Sequence, residues 1–144
     1  QTQFAQRDVK RVYHALVEGG PKNSEGKDSS WLVEDKHLHV KRVKSTYKGS
    51  KESITHWRVE DRDEFVSLIE IKIETGRRHQ IRMAMQFLGC PVVGDIGHGA
   101  TMNPLNRICL HATELGFLHP SSNEFVIYGS NVPFANRDKI DFET

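Results

Sequence analysis

The alternation of apolar and polar positions along this chain is mostly that of short strands. Val9 to Glu18 sets Val12, His14 and Leu16 on one face and Tyr13, Ala15 and Val17 on the other, the period of two that a half-buried strand requires. Gly19-Gly20-Pro21 closes it, because proline has no N–H for a ladder and glycine relaxes the turn. Residues 22–30 are polar throughout and predict a loop. Trp31 to Val33, His39 to Thr46 and Ser53 to Val59 predict the short strands of a meander, parted by polar or glycine-containing turns. Phe65 to Glu74 is the clearest strand, with Phe65, Ile69, Ile71 and Ile73 expected inward and Glu70, Lys72 and Glu74 outward. At Thr75-Gly76 the period changes. From Arg78 to Leu88 the apolar residues Ile81, Ala84, Met85 and Leu88 fall at helical spacing, Gly89 supplies a stop and Pro91 bars continuation. A short apolar segment, Val92 to His98, runs through Gly94-Asp95 into a glycine-rich turn. A second apolar run spans Ile108 to Phe117, and Glu124 to Tyr128 predicts a closing strand before a polar tail. Strands outnumber helices and hairpin-length connections dominate, so the expected class is α+β with a largely antiparallel sheet and few helices.

Composition narrows the function classes. The 144 residues, 37% of them apolar, suit one domain. No stretch approaches the roughly 18 consecutive apolar residues of a membrane helix, and no basic-then-apolar leader opens the chain. Cys90 and Cys109 lie in apolar surroundings without metal-type spacing and read as free thiols of a reducing, cytoplasmic compartment. The net charge of +1 hides an asymmetry: residues 1–58 carry 12 basic against 7 acidic side chains, and residues 59–144 carry 8 against 12. Between Lys36 and Lys51 stand six basic residues, Lys41, Arg42 and Lys44 among them, with no acid and with Val40, Val43 and Tyr47 interleaved. Such a basic ribbon on an apolar scaffold is what a polyanion needs, since each neutralised phosphate releases counterions.

Thr75-Gly76-Arg77-Arg78-His79-Gln80-Ile81-Arg82 joins the best strand to the best helix. Three arginines there repel one another and meet the positive end of the helix dipole, a cost that an anion or a carboxylate relieves. Arg78 and Arg82 are four apart and share a helix face beside the apolar stripe, and an arginine held against a core face needs an acidic partner.

This segment, followed by Leu88-Gly89-Cys90-Pro91 and Gly94-Asp95, resembles the third signature of RluA-type RNA pseudouridine synthases. Phe4 with Arg7, then Val9 to Gly19, is similar to the family's Lys-x-Tyr-x-Ala-x-Val strand. Ile54-Thr55-His56-Trp57 sits where the family has Ala-x-Thr-x-Tyr. Arg107-Ile108-Cys109-Leu110-His111-Ala112, Leu115-Gly116-Phe117 and His119-Pro120 resemble its final signature. The resemblance implies an isomerase that breaks the N1–C1′ bond of a uridine in RNA, turns the base and joins C5 to C1′, without cofactor or metal. It implies that Tyr13 stacks on a flipped base and helps remove the C5 proton. Arg82 pairs with the essential aspartate, keeping it ionised and aimed. Leu110 and, less directly, Ile108 line the uracil pocket, while Arg77, Arg78, His79 and the ribbon residues Lys41, Arg42 and Lys44 meet RNA, ribosomal or transfer.

The family's aspartate stands in a His-Arg-Leu-Asp motif upstream of the tyrosine strand, and this chain has none. Asp95 matches the Gly-Asp turn, not the nucleophile, and His98 replaces the tyrosine usual after that turn. With no initiator Met at Gln1, residues 1–144 are therefore expected to be the C-terminal part of an incomplete catalytic domain, inactive alone and prone to self-association through an unpaired sheet edge. Two other readings are weaker. A non-catalytic RNA-binding module would use the same cations and leave Tyr13 and Arg82 idle. A metal-dependent hydrolase is prompted by eight histidines, including His37, His39, His79, His111 and His119, but no His-Glu-x-x-His or Cys-x-x-Cys supports it. Gly94 to Gly99 lacks the Lys-Ser/Thr of a phosphate loop.

Overall fold

The computed structural model describes residues 9–118, 124–131 and 133–134. Phe4, Arg7, His119-Pro120 and residues 135–144 of the polar tail lie outside the described residues.

Seven strands form one sheet: β1 Val9–Glu18, β2 Glu25–Glu34, β3 Val40–Val43, β4 Lys51–Arg62, β5 Val66–Ile73, β6 Leu110–Leu118 and β7 Phe125–Gly129. Their order is β3-β2-β4-β5-β1-β6-β7, and every pairing is antiparallel. The helix α1, Gln80–Phe87, and a 3-10 turn at Ile96–His98 lie between β5 and β6. The α+β class with a largely antiparallel sheet and few helices is what the sequence pattern predicts.

Register shows where the core sits. Tyr13 pairs with Ile71, which pairs with Trp57, and Ala15 pairs with Ile69, which pairs with Val59, so these residues share one face. Upon it α1 lays Ile81, Ala84 and Met85, all buried, and the loop after the helix adds Val92 and Val93. Gly26 on β2 lies against the Trp57 ring, where a Cβ would come within 2.4 Å of the indole.

Three expectations are corrected. The loop expected over residues 22–30 is strand from Glu25, because Glu25–Ser30 pair with Ser53–Arg58 of β4. Its polar residues are accommodated individually, Asp28 and Ser30 being buried with Asp28 bound to Arg42. The strand expected over His39–Thr46 shrinks to Val40–Val43. Before it the Asp35 carboxylate accepts the N–H groups of His37 and His39, and after it Tyr47 N–H bonds to the Lys44 carbonyl. Phe65 points outward and is 57% exposed, since the Asp63 carboxylate holds a turn by accepting the Phe65 and Val66 N–H groups and β5 begins at Val66. Cys90 and Cys109 are free and buried, as read. Burial pushes the Cys90 thiol up to about 11 and raises that of Cys109, so neither is a ready nucleophile.

Candidate active site

An open cavity of about 270 Å3 lies between β1, the end of β5, the start of α1 and β6, and its walls include Tyr13, Arg77, His79, Gln80, Arg82 and Leu110. Five residues singled out from sequence thus meet at one place, although Tyr13 and Arg82 lie far apart along the chain.

Tyr13 stands at an irregularity in the ladder. Val12 pairs with Glu114 and Tyr13 with Ala112, so Thr113 is one residue too many, a β-bulge that bends β6 and changes its twist beside Tyr13. The Thr113 hydroxyl donates to the Val12 carbonyl at 3.2 Å and lies 2.9 Å from His14 Nδ1. Tyr13 itself is half-buried against the core and opens on the cavity.

The turn before α1 is fixed by Gln80, which is 3% exposed. Its amide nitrogen donates to the Ile54 carbonyl and to Thr55 Oγ1, both at 2.9 Å. Its amide oxygen accepts from the Thr75 hydroxyl at 2.7 Å and from the Arg77 N–H at 3.1 Å. One side chain, able to donate and accept at once, ties β4 to the end of β5 and the helix start. His79 then takes a left-handed backbone, φ 57°, uncommon outside glycine and concentrated at functional turns. Burial, and then the neighbouring charge of Arg82, lowers the His79 pKa. Its ring meets that of His98 edge-on at 5.6 Å.

Arg82 is held by Asp95. Nε donates to Oδ2 at 2.8 Å and Nη2 to Oδ1 at 2.9 Å, a bidentate fork on a carboxylate that is 1% exposed. His98 Nδ1 lies 3.0 Å from Oδ1. A carboxylate oxygen only accepts, so that nitrogen carries the proton. Burial pushes the Asp95 carboxyl up, but the hydrogen bonds from Arg82 and His98 outweigh it and hold it below the ordinary carboxylate range. Among the described residues nothing accepts from Arg82 Nη1. The Asp95 turn is itself pinned, since a Cβ on Gly94 would stand 1.9 Å from the Arg107 carbonyl and only glycine fits. Glu18 of β1 anchors the following loop by accepting the N–H groups of Thr101 and Met102, both at 2.7 Å, and the Thr101 hydroxyl.

The remaining sequence-predicted residues divide. Ile108 packs against the core instead of lining the cavity. Arg77 lines it while its Nε donates to the Glu52 carbonyl at 2.8 Å. Arg78 turns away to Glu34. Arg42 is committed to Asp28 at 3.0 and 3.3 Å and lies 3.6 Å over the Phe87 ring, so it clamps β3 to β2 and α1. Lys41 and Lys44 are exposed on the hairpin. Gln80, Asp95 and His98 were not singled out from sequence as site residues. For Gln80 and Asp95 the signal is membership of the motif, since their partners Ile54, Thr55 and Arg82 are distant in sequence; His98 stands where the family pattern has a tyrosine, and its partner Asp95 is three residues before it.

No compact ligand set was visible in the spacing of the histidines, yet folding brings His14, Glu60 and Glu70 together on the opposite sheet face, their ligand atoms within 4.8 Å of one another. Arg58 already bonds Glu70 at 3.0 Å and stands 3.6 Å from Glu60, so this cluster carries its own cation.

The family model described as RNA pseudouridylate synthase matches residues 1–87. An uncharacterized RNA pseudouridine synthase of Bacillus subtilis, YhcT, is 34% identical over 134 residues, which is 92% of this chain and 43% of that protein. The ribosomal large subunit pseudouridine synthase D of Zymomonas mobilis is 33% identical over 140 residues, 91% of this chain and 44% of its own length. Among solved structures, human RNA Pseudouridylate Synthase Domain Containing 1 superposes with a TM-score of 0.73 at 29% identity, covering 92% of this chain and 58% of that one. The chain therefore spans less than half the length of these curated relatives. With the matched region running through the tyrosine strand, the Gln80 turn and the whole of α1, the chain belongs to the RNA pseudouridylate synthase family.

Proposed function

We propose that this chain forms part of an enzyme that isomerises uridine to pseudouridine within structured RNA, ribosomal or transfer. The observation that carries the reading is the meeting of Tyr13, Leu110 and a clamped Arg82 on one cavity. A uracil flipped into it would lie against the Tyr13 ring, with Leu110 as apolar wall. In the reaction the N1–C1′ bond breaks, the base turns, C5 bonds to C1′, the C5 proton leaves and N1 gains a proton, so atoms balance without an added reactant. In this reading the Tyr13 phenol assists the C5 proton's departure.

The reaction also needs a carboxylate beside the sugar, and Asp95 is a poor one. It is buried and its oxygens already accept from three donors. The Nη1 edge of Arg82 is the natural seat for another carboxylate, which we place in the part of the relatives that this chain does not span. The 144 residues alone are then inactive. Tritium release from RNA carrying 5-tritiated uridine, compared between this chain and the complete gene product, tests both points. Release by the complete product only is the expected result. Release by the short chain would overturn the account of the absent aspartate, and release by neither, with RNA still bound, would leave a binding module. Self-association through a sheet edge is the accompanying expectation. The short β3 edge, bearing Lys41 and Arg42, opposes it, and a single monomeric species in sedimentation at every concentration would remove it.

A further inference from the structure

His14 is met at both ring nitrogens by a residue that a bulge has re-aimed. Thr113 is the extra residue of β6, set against Val12 and Tyr13. On β4 the register steps from Val59 opposite Ile69 to Asp61 opposite Leu68, so Glu60 is the extra residue of a second bulge. A bulge turns a side chain away from the course that a regular ladder would give it. Here Thr113 Oγ1 lies 2.9 Å from His14 Nδ1, and Glu60 Oε1 lies 2.9 Å from Nε2. Glu70, opposite His14 on β5, completes a set whose ligand atoms lie within 4.8 Å of one another.

The hydrogen bonds of this set leave one place to be filled. The Thr113 hydroxyl gives its hydrogen to the Val12 carbonyl, so Oγ1 accepts from His14 Nδ1–H. Nε2 then turns a lone pair toward a carboxylate oxygen, and two acceptors at 2.9 Å need a proton or a cation between them. Arg58 does not occupy that place. It reaches Glu70 Oε1 at 3.0 Å and Glu60 Oε2 at 3.6 Å, which leaves Glu60 Oε1 to His14. Among the described residues nothing donates to Glu70 Oε2.

We propose that His14 Nε2, Glu60 and Glu70 bind one divalent transition ion, Zn2+ foremost, which ties β1, β4 and β5 together on the face opposite the Tyr13 cavity. One imidazole and two carboxylates form a ligand set that zinc accepts, with water in the fourth position. Zinc bonds of about 2.0–2.1 Å at tetrahedral angles set ligand atoms about 3.3 Å apart. His14 and Glu60 must therefore part by a few tenths of an ångström, and the widest gap must close by at most about 1.5 Å. The outer contacts of such a centre are already made. A metal-bound histidine donates its other N–H, here to Thr113, and a bound carboxylate is itself hydrogen-bonded, as Glu70 is to Arg58. Entry of the ion expels the proton between Nε2 and Glu60 to solvent. The ion takes no part in the isomerisation, whose atoms balance without it, and the site does not depend on the chemistry at Tyr13.

The test is calorimetric titration of Zn2+ into the chain after EDTA treatment and dialysis, followed by urea unfolding with and without the ion. One Zn2+ should bind per chain, and the unfolding midpoint should rise with the logarithm of free Zn2+. Thr113→Val keeps the shape of the side chain and removes its acceptor, and it should weaken binding by roughly ten- to hundredfold. His14→Ala should weaken it further. Glu70→Gln, which keeps the size of the side chain, should do the same and carries the test if His14→Ala does not fold. His56→Ala removes another histidine that pairs with a glutamate on this face, Glu74, and should leave Zn2+ binding unchanged. No binding by the wild-type chain would overturn the site and leave a protonated His14 paired with Glu60. Binding that survives both His14→Ala and Glu70→Gln, or that falls equally with His56→Ala, would overturn it too, since the ion would then sit on surface histidines.

Discussion

The β5–α1 joint and the β2–β3 hairpin are both rich in cations, and they use them in opposite ways. At the joint, Arg82 is forked onto a buried aspartate, the turn before it is fixed by Gln80, and His79 is locked in a left-handed conformation. On the hairpin, Lys41 and Lys44 stand in solvent and only Arg42 is tied down. Charge held in one geometry suits a reaction centre, where the donor must already be aimed before the substrate arrives. Charge left free suits capture of a polyanion, whose phosphates need neutralising more than orienting. Counting basic residues does not separate these uses, whereas locating the carboxylates does.

The sharpest way to break the contrast is Asp95→Asn. It removes one partner of a buried pair and should cost about 3 kcal/mol in urea unfolding, with tritium release by the complete product falling more than RNA affinity. An unchanged unfolding midpoint would mean that the fork does not hold Arg82. Next comes Gln80→Leu, which removes the partner of the Thr55 and Thr75 hydroxyls and of the Arg77 N–H, the Ile54 carbonyl keeping the Glu74 N–H, and should cost about 2 kcal/mol.

Acid offers a third test. The folded-state His79 pKa is lowered, so the unfolded chain binds the proton more readily. Stability should fall as pH drops below about 6.5, the value of a free histidine. His79→Asn, which tolerates the left-handed backbone, should flatten that limb. Asp95 acts lower. Its depressed pKa contributes stability above about 4, the unfolded value, and that contribution is lost as pH falls through the folded pKa. The smallest effects belong to the hairpin. Arg42→Ala should lower stability by about 1 kcal/mol through loss of the Asp28 pair and the Phe87 contact, whereas Lys44→Ala should leave it unchanged. Replacing Lys41, Arg42 and Lys44 together should weaken binding to many RNAs alike. Loss of one RNA with the others retained would contradict a general electrostatic role.

What was legible in the sequence follows the range of the interaction. β1 and α1 carry their period in their own residues, and the motif around Arg77–Arg82 is contiguous, so both were readable. Glu25–Ser30 was not, because a polar hexapeptide becomes strand only once β4 pairs with it and Arg42 reaches Asp28. Phe65 failed for a local reason: the Asp63 turn starts the strand one residue late. At the site, the motifs point to Tyr13, Arg82 and Leu110, but the partner of Arg82 within this chain is thirteen positions on, and only the loop pinned at Gly94 brings it back. The grouping of His14, Glu60 and Glu70 was invisible for the same reason, being assembled across three strands.

The bulge at Thr113 has a consequence for insertions and deletions. Residues on either side of it, Ala112 with Tyr13 and Glu114 with Val12, are paired already. Removing Thr113 would therefore regularise the ladder without flipping either half of β6, an exception to the rule that a one-residue slip exchanges the faces of a strand. What would be lost is the hydroxyl that meets His14, the carbonyl that accepts from Ser130, and the local bend beside Tyr13. Chain length at this one position is thus a control on ring angle that leaves the core composition untouched, and a shortened β6 offers a means to re-aim the tyrosine.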